Sequence, residues 1–312
     1  MRYPYHLPAL EDRFLPNENW ELDSFVNSET SHKIHYSYAP IQNPKGTIIC
    51  LTGLSEFCEK YIETAKFFNT HHYNFYVMDW AYQGRSCRYR GEPHKRHSDG
   101  YESDISDVKY FIDGVIKTNT PLFLLAHSMG SNIALRYLSS QDHAIKAASF
   151  SAPMLGIKSL KYFPFLLNPI LSIFSDRYVP GGRDWHESAR DGDGQGIFSS
   201  DLVRDKVHNA WCISNPDLQI GSPTFKWLYE SLKSMRLLKS DKILKKICIP
   251  VLLAYATKET LVDNNAIVRA SKKIENAELL ELRNSKHEIM METDNIRDEF
   301  LNKTVTLFNQ SV

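Results

Sequence analysis

Two patterns of apolar and polar positions alternate along this chain. Short apolar runs, rich in Val, Ile, Leu and aromatic residues, are followed by segments whose apolar residues recur every three or four positions. The first pattern predicts buried strands and the second predicts helices. The predicted strands are 33–38, 46–52, 74–79, 121–127, 144–152, 249–257 and 277–283, and the predicted helices lie near 59–68, 101–116, 131–138, 266–274 and 295–308. This alternation predicts an α/β fold with a mainly parallel sheet and helices on both of its faces.

The alternation breaks between about Pro153 and Met235. This part of the chain contains the Pro- and aromatic-rich stretch FPFLLNPILSIF, a Gly- and Asp-rich stretch, and then helical pieces. A connection of this length without structure of its own would be unusual in a compact domain. We therefore predict a mostly helical cap subdomain at 153–235, inserted into an α/β core formed by 1–152 and 236–312. A long helical connection is the alternative.

The segment PLFLLAHSMGSNIALRYL, residues 121–138, combines an apolar strand, a short turn and a helical pattern. A tight turn from strand to helix strains the backbone at Ser128 and exposes its hydroxyl at the carboxyl edge of the sheet. The small residues Ala126 and Gly130 allow the strand and the helix to approach closely. This context predicts that Ser128 is a nucleophile, and the alternative is that it only caps the helix.

A serine hydroxyl needs a positioned base before it can attack. When a catalytic serine follows a strand of an α/β sheet in this way, the chain order is serine, acid, histidine, and the histidine lies in the loop after the last strand. His287 lies in that loop. The acid should follow the preceding strand, and two carboxylates lie there. Glu259 comes directly after that strand, whereas Asp263 precedes a helical run and suits an N-cap. These positions favour Glu259 as the acid that orients His287, with Asp263 as the alternative.

An attacked carbonyl also needs hydrogen-bond donors for its oxyanion. One should be the backbone N–H of Met129, directly after the nucleophile. The other should be the N–H of Leu54, in the loop after strand 46–52, where Gly53 frees the backbone. The alternative interpretation of Gly53 is an ordinary glycine turn at the end of a strand.

Composition and charge exclude several other classes of protein. Of the 312 residues 42% are hydrophobic, and Lys plus Arg number 37, as do Asp plus Glu. The absence of net charge and of basic blocks argues against a nucleic-acid partner. No apolar run is long enough to span a bilayer, the N-terminus lacks the pattern of a signal peptide, and five scattered cysteines indicate reduced thiols. These features predict a cytoplasmic protein.

Metal-binding patterns are also missing from the sequence. It contains neither C-x-x-C nor H-E-x-x-H, the usual zinc patterns. The stretch from Asp191 to Gly196 opens like a calcium loop, but Leu202 stands where the bidentate carboxylate would be needed. We predict neither a metal nor another cofactor.

Several segments resemble the α/β-hydrolases of the monoglyceride lipase and bacterial lysophospholipase group, from about Lys33 to Phe308. LTGLSEFCEKY resembles the group's H-G-x-x-E-x-x-x-x-Y stretch, MDWAYQGRS its D-x-R-G-x-G-x-S turn, and LLAHSMG its nucleophile elbow. PVLLAYATKETLVDN resembles its acid loop and SKHEIMMETD its histidine loop. The V-D-N after the acid, GSPTFKWL in the late cap, and Glu in place of Asp at the acid resemble bacterial lysophospholipases more closely than lipases.

The sequence departs from this pattern in three places. Thr52 stands where monoglyceride lipases carry histidine, Ala81 and Tyr82 replace the Arg and Gly of the D-x-R-G turn, and Ala126 replaces the first Gly of the elbow. None of these changes removes a catalytic group. The turn around Ala81 is the one whose support for the oxyanion loop is expected to differ.

The resemblance implies a serine hydrolase that cleaves carboxylic esters through an acyl-enzyme and needs no cofactor. A lysophospholipid or a monoacylglycerol is the implied substrate. A short-chain carboxylesterase and an aminopeptidase of the proline-iminopeptidase kind are alternatives, and a non-catalytic ligand-binding protein of the same fold is the alternative from another class. The apolar stretch from Phe163 to Phe174 either lines an acyl-chain tunnel, contacts the inner membrane through the cap, or packs in the core.

Overall fold

A computed structural model describes residues 3–140, 142–160, 174–188 and 196–312. Eight strands of these residues form one sheet: β1 (Glu21–Val26), β2 (Lys33–Ala39), β3 (Gly46–Leu51), β4 (Tyr73–Met78), β5 (Leu122–His127), β6 (Ile145–Ser151), β7 (Val251–Ala256) and β8 (Ala277–Leu282). Their order is β1-β2-β4-β3-β5-β6-β7-β8. The strands from β4 to β8 in that order pair in parallel, while β2 is antiparallel to both β1 and β4. The sheet is therefore mainly parallel, which confirms the predicted fold class.

Within the described residues, a helix follows each strand from β3 onward, and four helices lie between β6 and β7. The helices of these residues are α1 (Ile62–Thr70), α2 (Tyr101–Tyr110), α3 (Met129–Leu138), α4 (Leu202–Asp205), α5 (Val207–Ser214), α6 (Phe225–Leu238), α7 (Asp241–Leu244), α8 (Asn264–Ser271) and α9 (Asp294–Asn309). A π-helical turn, Phe111–Val115, extends α2. Short 3₁₀ turns include Cys58–Tyr61 before α1 and Ile289–Met291 before α9. In the described parts of the chain, no helix has the length and apolar character that crossing a membrane requires.

The centre of the sheet is buried on both faces. All six residues of β3 are buried, as are the last five of β5, so neighbouring side chains that point to opposite faces are both shielded from water. Helix α3 packs on β5, α8 on β7, and α9 on β6 and β7. Because the central strands run parallel, their carboxyl ends meet along one edge, where the loops after β3, β5, β7 and β8 lie close together.

Among the eight strands of the described residues, β1 is the one that the sequence analysis did not predict. It lies at the edge of the sheet, and none of its six residues is fully buried. Its sequence ELDSFV therefore lacks the continuous apolar pattern of the central strands. An edge strand paired on one side can carry polar residues, and β1 has fewer apolar residues than β8, the strand at the opposite edge, whose sequence AELLEL keeps three leucines.

The predicted cap, 153–235, contributes helices α4, α5 and α6 among its described residues. Residues 161–173, which hold all of the apolar stretch before Phe174, lie outside the described residues. Asp191 and Asp193 of the calcium-like stretch lie outside them as well. The division into a core and a cap therefore stays a prediction.

Candidate active site

The turn between β5 and α3 holds Ser128 in a strained backbone conformation, with φ 48° and ψ −111°. A positive φ is unfavourable for a residue with a side chain, and the turn is held by a hydrogen bond from the N–H of Ser128 to the carbonyl of Ser151, 3.0 Å long. Helix α3 also starts very close to β3. A Cβ on Gly130 would lie 2.3 Å from the carbonyl oxygen of Leu51 and 2.5 Å from that of Thr52, so only glycine fits there.

Three side chains that come from distant parts of the sequence form one chain of hydrogen bonds. The Nε2 atom of His287 lies 3.0 Å from Oγ of Ser128, and its Nδ1 atom lies 2.7 Å from Oε2 of Glu259. All three residues are nearly inaccessible to solvent, with 7% of Ser128, 6% of His287 and 3% of Glu259 exposed. The structure thus brings together the predicted nucleophile, base and favoured acid in the geometry that a proton relay requires.

The loop after β7 holds the Glu259 carboxylate in one orientation. Its Oε1 atom accepts the backbone N–H groups of Thr260 at 2.8 Å, Leu261 at 2.7 Å and Val262 at 3.3 Å. Oε2 is thereby left to face His287. Burial raises the pKa of Glu259, but the hydrogen bond and charge of His287 and the backbone amides lower it more, so the net pKa is below its ordinary value. The carboxyl group is therefore an anion near pH 7.

The alternative acid, Asp263, has a different environment. Its Oδ1 atom accepts the N–H of Asn265 at 3.1 Å, which caps the start of α8. Its Oδ2 atom lies 3.3 Å from the guanidinium of Arg269. Among the described residues, the imidazole of His287 is hydrogen-bonded to Glu259 rather than to Asp263. His287 is therefore bonded to the carboxylate that the sequence analysis favoured, and its role as the acid stays a prediction.

The two predicted oxyanion donors lie at the ends of neighbouring strands. Leu54 is in the turn after β3, and Met129 is the first residue of α3. The side chain of Met129 is held by two donors, since its Sδ atom accepts from the indole of Trp227 at 3.2 Å and from the buried guanidinium of Arg96 at 3.6 Å. Because Trp227 belongs to α6, this contact attaches the predicted cap to the nucleophile turn.

A buried glutamine supports the loop that carries Leu54. The amide nitrogen of Gln83 donates to the carbonyls of Gly53 at 2.9 Å and Glu56 at 2.8 Å, and its amide oxygen accepts the N–H of Ser55 at 3.1 Å. Gln83 comes directly after the two positions where this sequence departs from the D-x-R-G turn. The sequence analysis missed it because these hydrogen bonds reach residues about 30 positions away, which no local pattern shows.

A second missed residue supports the loop that carries His287. The Oε1 atom of Glu292 accepts the N–H of Lys286 at 2.7 Å and the N–H of Ser200 at 3.1 Å, and Glu292 is fully buried. The histidine loop is therefore attached to the segment around Ser200, in the predicted cap. A glutamate five residues after a histidine gives no signal of this role in a single sequence.

A cavity of about 650 Å³ opens above the three hydrogen-bonded residues, within the size range of small-molecule sites. Ser128 and His287 lie in its wall, together with Leu54. The other wall residues are mostly apolar and include Met154, Ile157, Val179, Trp185, Phe198, Ile220, Trp227, Leu228, Leu261 and Val262. The cavity can therefore enclose an apolar group next to the serine hydroxyl.

Within the described residues, one group of side chains has the spacing of metal ligands. His35, Cys58 and Asp79 are buried, and their ligand atoms lie within 4.8 Å of one another. Both carboxylate oxygens of Asp79 already accept backbone N–H groups, from Cys58 and from Arg85, at 2.8 Å each. These bonds hold the turn after β4 in place, which explains the group without a metal.

Comparison with known proteins places the chain in a family. Residues 42–294 match the family model described as serine aminopeptidase, S33. A protein of Haemophilus influenzae named "Probable lysophospholipase L2" is 30% identical over 326 residues, covering 99% of this chain and 98% of that protein. Lysophospholipase L2 of Escherichia coli is 26% identical over 289 residues, covering 86% of this chain and 82% of that protein.

Solved structures agree on the fold. A soluble variant of monoglyceride lipase from Saccharomyces cerevisiae, in complex with a substrate analogue, matches with a TM-score of 0.76 and 16% identity, over 98% of this chain and 100% of that chain. The monoacylglycerol lipase of Paleococcus ferrophilus matches with a TM-score of 0.69 and 20% identity, and the match covers 89% of this chain and 99% of that chain. Because the family model covers most of the sequence, this chain belongs to the serine aminopeptidase S33 family, as an α/β-hydrolase of the lysophospholipase and monoglyceride lipase group.

Proposed function

We propose that the protein is a serine ester hydrolase in which Ser128, His287 and Glu259 form the catalytic triad. The observation that carries this proposal is the chain of hydrogen bonds between these three residues at the wall of the apolar cavity. The Nδ1–H group of His287 donates a hydrogen bond to the Glu259 carboxylate and keeps its proton. Nε2 is therefore the unprotonated ring nitrogen, which can accept the proton of the serine hydroxyl. Ser128 then attacks the ester carbonyl, and His287 passes the proton to the leaving alcohol.

The backbone N–H groups of Leu54 and Met129 are the proposed oxyanion hole. Both belong to turns that begin at the carboxyl ends of neighbouring strands, and Met129 directly follows the nucleophile. Amides in fixed turns need no reorganisation when charge develops on the carbonyl oxygen. Water then attacks the acyl-enzyme with His287 as the base, and the acid product leaves.

We propose a lysophospholipid as the preferred substrate, with a monoacylglycerol as the second candidate. The mostly apolar cavity suits an acyl chain, and two relatives are named as lysophospholipases. Arg183 and His186 also line the cavity, and a cation next to an imidazole suits the phosphate of a phospholipid head group. A monoacylglycerol has no anionic group for this pair.

The nucleophile is tested with a fluorophosphonate probe, which labels an activated serine. Wild type should be labelled, Ser128→Ala should not be, and Ser159→Ala should be labelled like wild type. Ser159 is the matched control because it also lines the cavity, whereas the serine that is hydrogen-bonded to His287 is Ser128. Labelling that survives in a folded Ser128→Ala would remove this serine from the mechanism.

The substrate is tested with a panel of lysophosphatidylcholine, monoacylglycerols, short aryl esters and proline amides. A kcat/KM for lysophosphatidylcholine at least tenfold above that for monoacylglycerol of the same chain supports the proposal, and Arg183→Ala should remove most of that difference. Highest activity on short esters would favour the carboxylesterase alternative. Preference for proline amides would favour the aminopeptidase alternative, and a folded but inactive, unlabelled protein would favour the ligand-binding one.

Contact with a membrane is a further part of this proposal. Among the described residues of the predicted cap, five large apolar side chains are more than a third exposed: Phe174, Ile197, Leu202, Val203 and Ile213. Such side chains could enter the interface of a bilayer that contains the substrate. Flotation with phosphatidylcholine vesicles should carry wild type with the vesicles and leave a Leu202→Ser/Val203→Ser variant behind, whereas Leu279→Ser, on the edge strand β8, should float like wild type.

A further inference from the structure

A buried lysine lies between the loop that carries Leu54 and the loop that carries His287. The Nζ atom of Lys60 is 2.7 Å from Oε1 of Glu56 and 2.6 Å from Oε1 of Glu288. The side chains are 2%, 3% and 5% exposed, respectively. Because water hardly reaches these side chains, the charge of the ammonium group is compensated by the two carboxylates, and removal of one partner leaves an uncompensated buried charge.

Each of the two carboxylates is attached to a different part of the site. Oε2 of Glu56 accepts the N–H of Gly53 at 2.5 Å, and Gly53 directly precedes Leu54. Glu288 directly follows His287 in the chain, and both residues line the cavity. Lys60 therefore connects the loop of one proposed oxyanion donor with the loop of the proposed base.

We propose that Lys60 is a positioning residue for ester hydrolysis. By binding both Glu56 and Glu288, it fixes the position of the oxyanion loop relative to the histidine loop on the two sides of the active site. The inference rests on the proposed function, since it assigns these two loops their roles. Lys60 itself touches neither the serine nor the cavity, so its effect passes through the two carboxylates.

Several other titratable groups face this cluster. They are Cys50 on β3, Tyr61 in the 3₁₀ turn, His127 on β5 and His287 in its loop. The hydroxyl of Tyr61 donates to Oε2 of Glu56 at 2.6 Å. Burial raises the pKa of Glu56, but the charges of Lys60 and His127 and the hydrogen bond from Lys60 together outweigh it and lower that pKa to about 2. Burial lowers the pKa of His127 to about 4, so this imidazole is neutral near pH 7 and Lys60 is the cation that the carboxylates depend on.

Replacement of Lys60 by methionine keeps the length of the side chain but removes its charge. Two neighbouring buried carboxyl groups cannot both ionise easily, so the pKa of one of them should rise and that group should take up a proton. Its O–H can then donate to the other carboxylate and partly replace the missing link. As the pH rises, this proton is lost, the two negative charges repel each other, and the two loops move apart.

The experiment compares kcat and KM for p-nitrophenyl butyrate between about pH 6 and pH 10 in wild type, Lys60→Arg, Lys60→Met and Lys60→Met/Glu288→Gln. Lys60→Met should lower kcat at least tenfold, change KM less than about twofold, and show an added fall of kcat at alkaline pH. Lys60→Arg should stay within about threefold of wild type. The double variant should lose the alkaline fall, because the glutamine amide donates to Glu56 without titrating, and should recover kcat to within about fivefold.

Lys66→Met is the matched control. Lys66 lies in α1 and also bonds two oxygens, the carbonyls of Asp12 and Leu15, but these lie away from the site. It should keep the wild-type kcat and pH profile. A wild-type profile in Lys60→Met, or a loss of kcat that is equal at every pH, would overturn the proposal.

Two outcomes separate this inference from folding and from the proposed function. If Lys60→Met does not fold, the double variant decides: a folded double variant with a flat alkaline profile supports the inference, and one that is unfolded or retains the alkaline fall overturns it. If wild type hydrolyses the ester and the Lys60 variants have the same kcat and pH profile as wild type, the positioning role of Lys60 is refuted. The proposed ester hydrolase activity is then not refuted. A wild type without activity or labelling refutes the proposed function itself.

Discussion

Replacement of Glu259 by glutamine tests the acid of the proposed triad with the smallest change in shape. The Oε1 atom of Glu259 is held by three backbone N–H groups, so the glutamine carbonyl should occupy that position. The amide nitrogen would then face Nδ1 of His287, where the carboxylate oxygen lies at 2.7 Å in the wild type. Because an amide nitrogen only donates, Nδ1 must become the acceptor and the ring proton must move to Nε2.

This tautomer places an N–H where the hydroxyl of Ser128 needs an acceptor. The expected result is a fall in kcat by a factor of about 10³ or more, with KM little changed. At 1.36 kcal/mol for each factor of ten, the loss in transition-state stabilisation is about 4 kcal/mol or more. The measurement is kcat and KM for p-nitrophenyl butyrate, with the midpoint of thermal unfolding as a check that the variant is folded.

The matched control is Asp263→Asn, four residues further on. Asparagine is as good an N-cap as aspartate, so α8 should keep its cap and lose only the ion pair with Arg269. The expected cost is on the order of 1 kcal/mol or less in the free energy of unfolding, with kcat within about twofold of wild type. The opposite pattern, an inactive Asp263→Asn and an active Glu259→Gln, would refute the assignment of the acid.

Three further predictions concern the loops, the cavity and the stability. Gln83→Leu should lower kcat about 10- to 100-fold at nearly constant KM, because it releases the loop of one oxyanion donor. The control Gln219→Leu should keep the wild-type kcat. Equal kcat values for Gln83→Leu and wild type would show that the loop needs no such support. Each methylene of a p-nitrophenyl ester should add up to about 0.8 kcal/mol of binding until the cavity is full, so kcat/KM should climb from acetate to medium chains below the micelle concentration. Leu228→Asp, in the cavity wall, should flatten the climb and Leu237→Asp, exposed on the same helix, should not; a profile that peaks at acetate would refute the acyl site. The pKa of Glu56 is lowered from 4.5 to about 2, so its contribution to the free energy of unfolding in urea should be complete above about pH 4.5 and be lost as the pH falls below that value. Glu56→Gln should weaken this loss of stability in acid, and an unchanged acid limb would contradict the assignment.

The sequence predicted the parts of the fold and of the site that follow from local patterns. Six of the seven predicted strands, β2 to β7, lie inside the sheet, and the seventh, β8, lies at its edge but keeps apolar residues. The family resemblance carried by the motifs around them is confirmed by the family match. Ser128, Glu259 and His287 each lie shortly after a strand, so the order of strands in a parallel sheet was enough to bring them to one edge. The choice between two nearby carboxylates was less secure, because it depends on how a single turn directs each side chain.

Residues that support these loops could not be found in the same way. Gln83 acts on a loop about 30 positions earlier, Glu292 joins segments that are 92 residues apart, and Lys60 reaches a carboxylate more than 200 positions later in the chain. Glutamine, glutamate and lysine are ordinary surface residues in a sequence. Only the fold shows that these three are buried and bonded on both sides.

The distribution of these buried polar residues suggests how the site keeps its geometry. The sheet fixes where the strands end, but it does not fix how the loops beyond those ends lie relative to one another. That relation depends on charged or polar side chains that each bind two segments: Gln83 within the oxyanion loop, Glu292 between the histidine loop and the predicted cap, and Lys60 between the oxyanion and histidine loops. Removal of one partner from such a buried cluster also costs stability, so the positioning role of Lys60 is measured by the pH profile of kcat in the folded variants, which a loss of stability alone would not change.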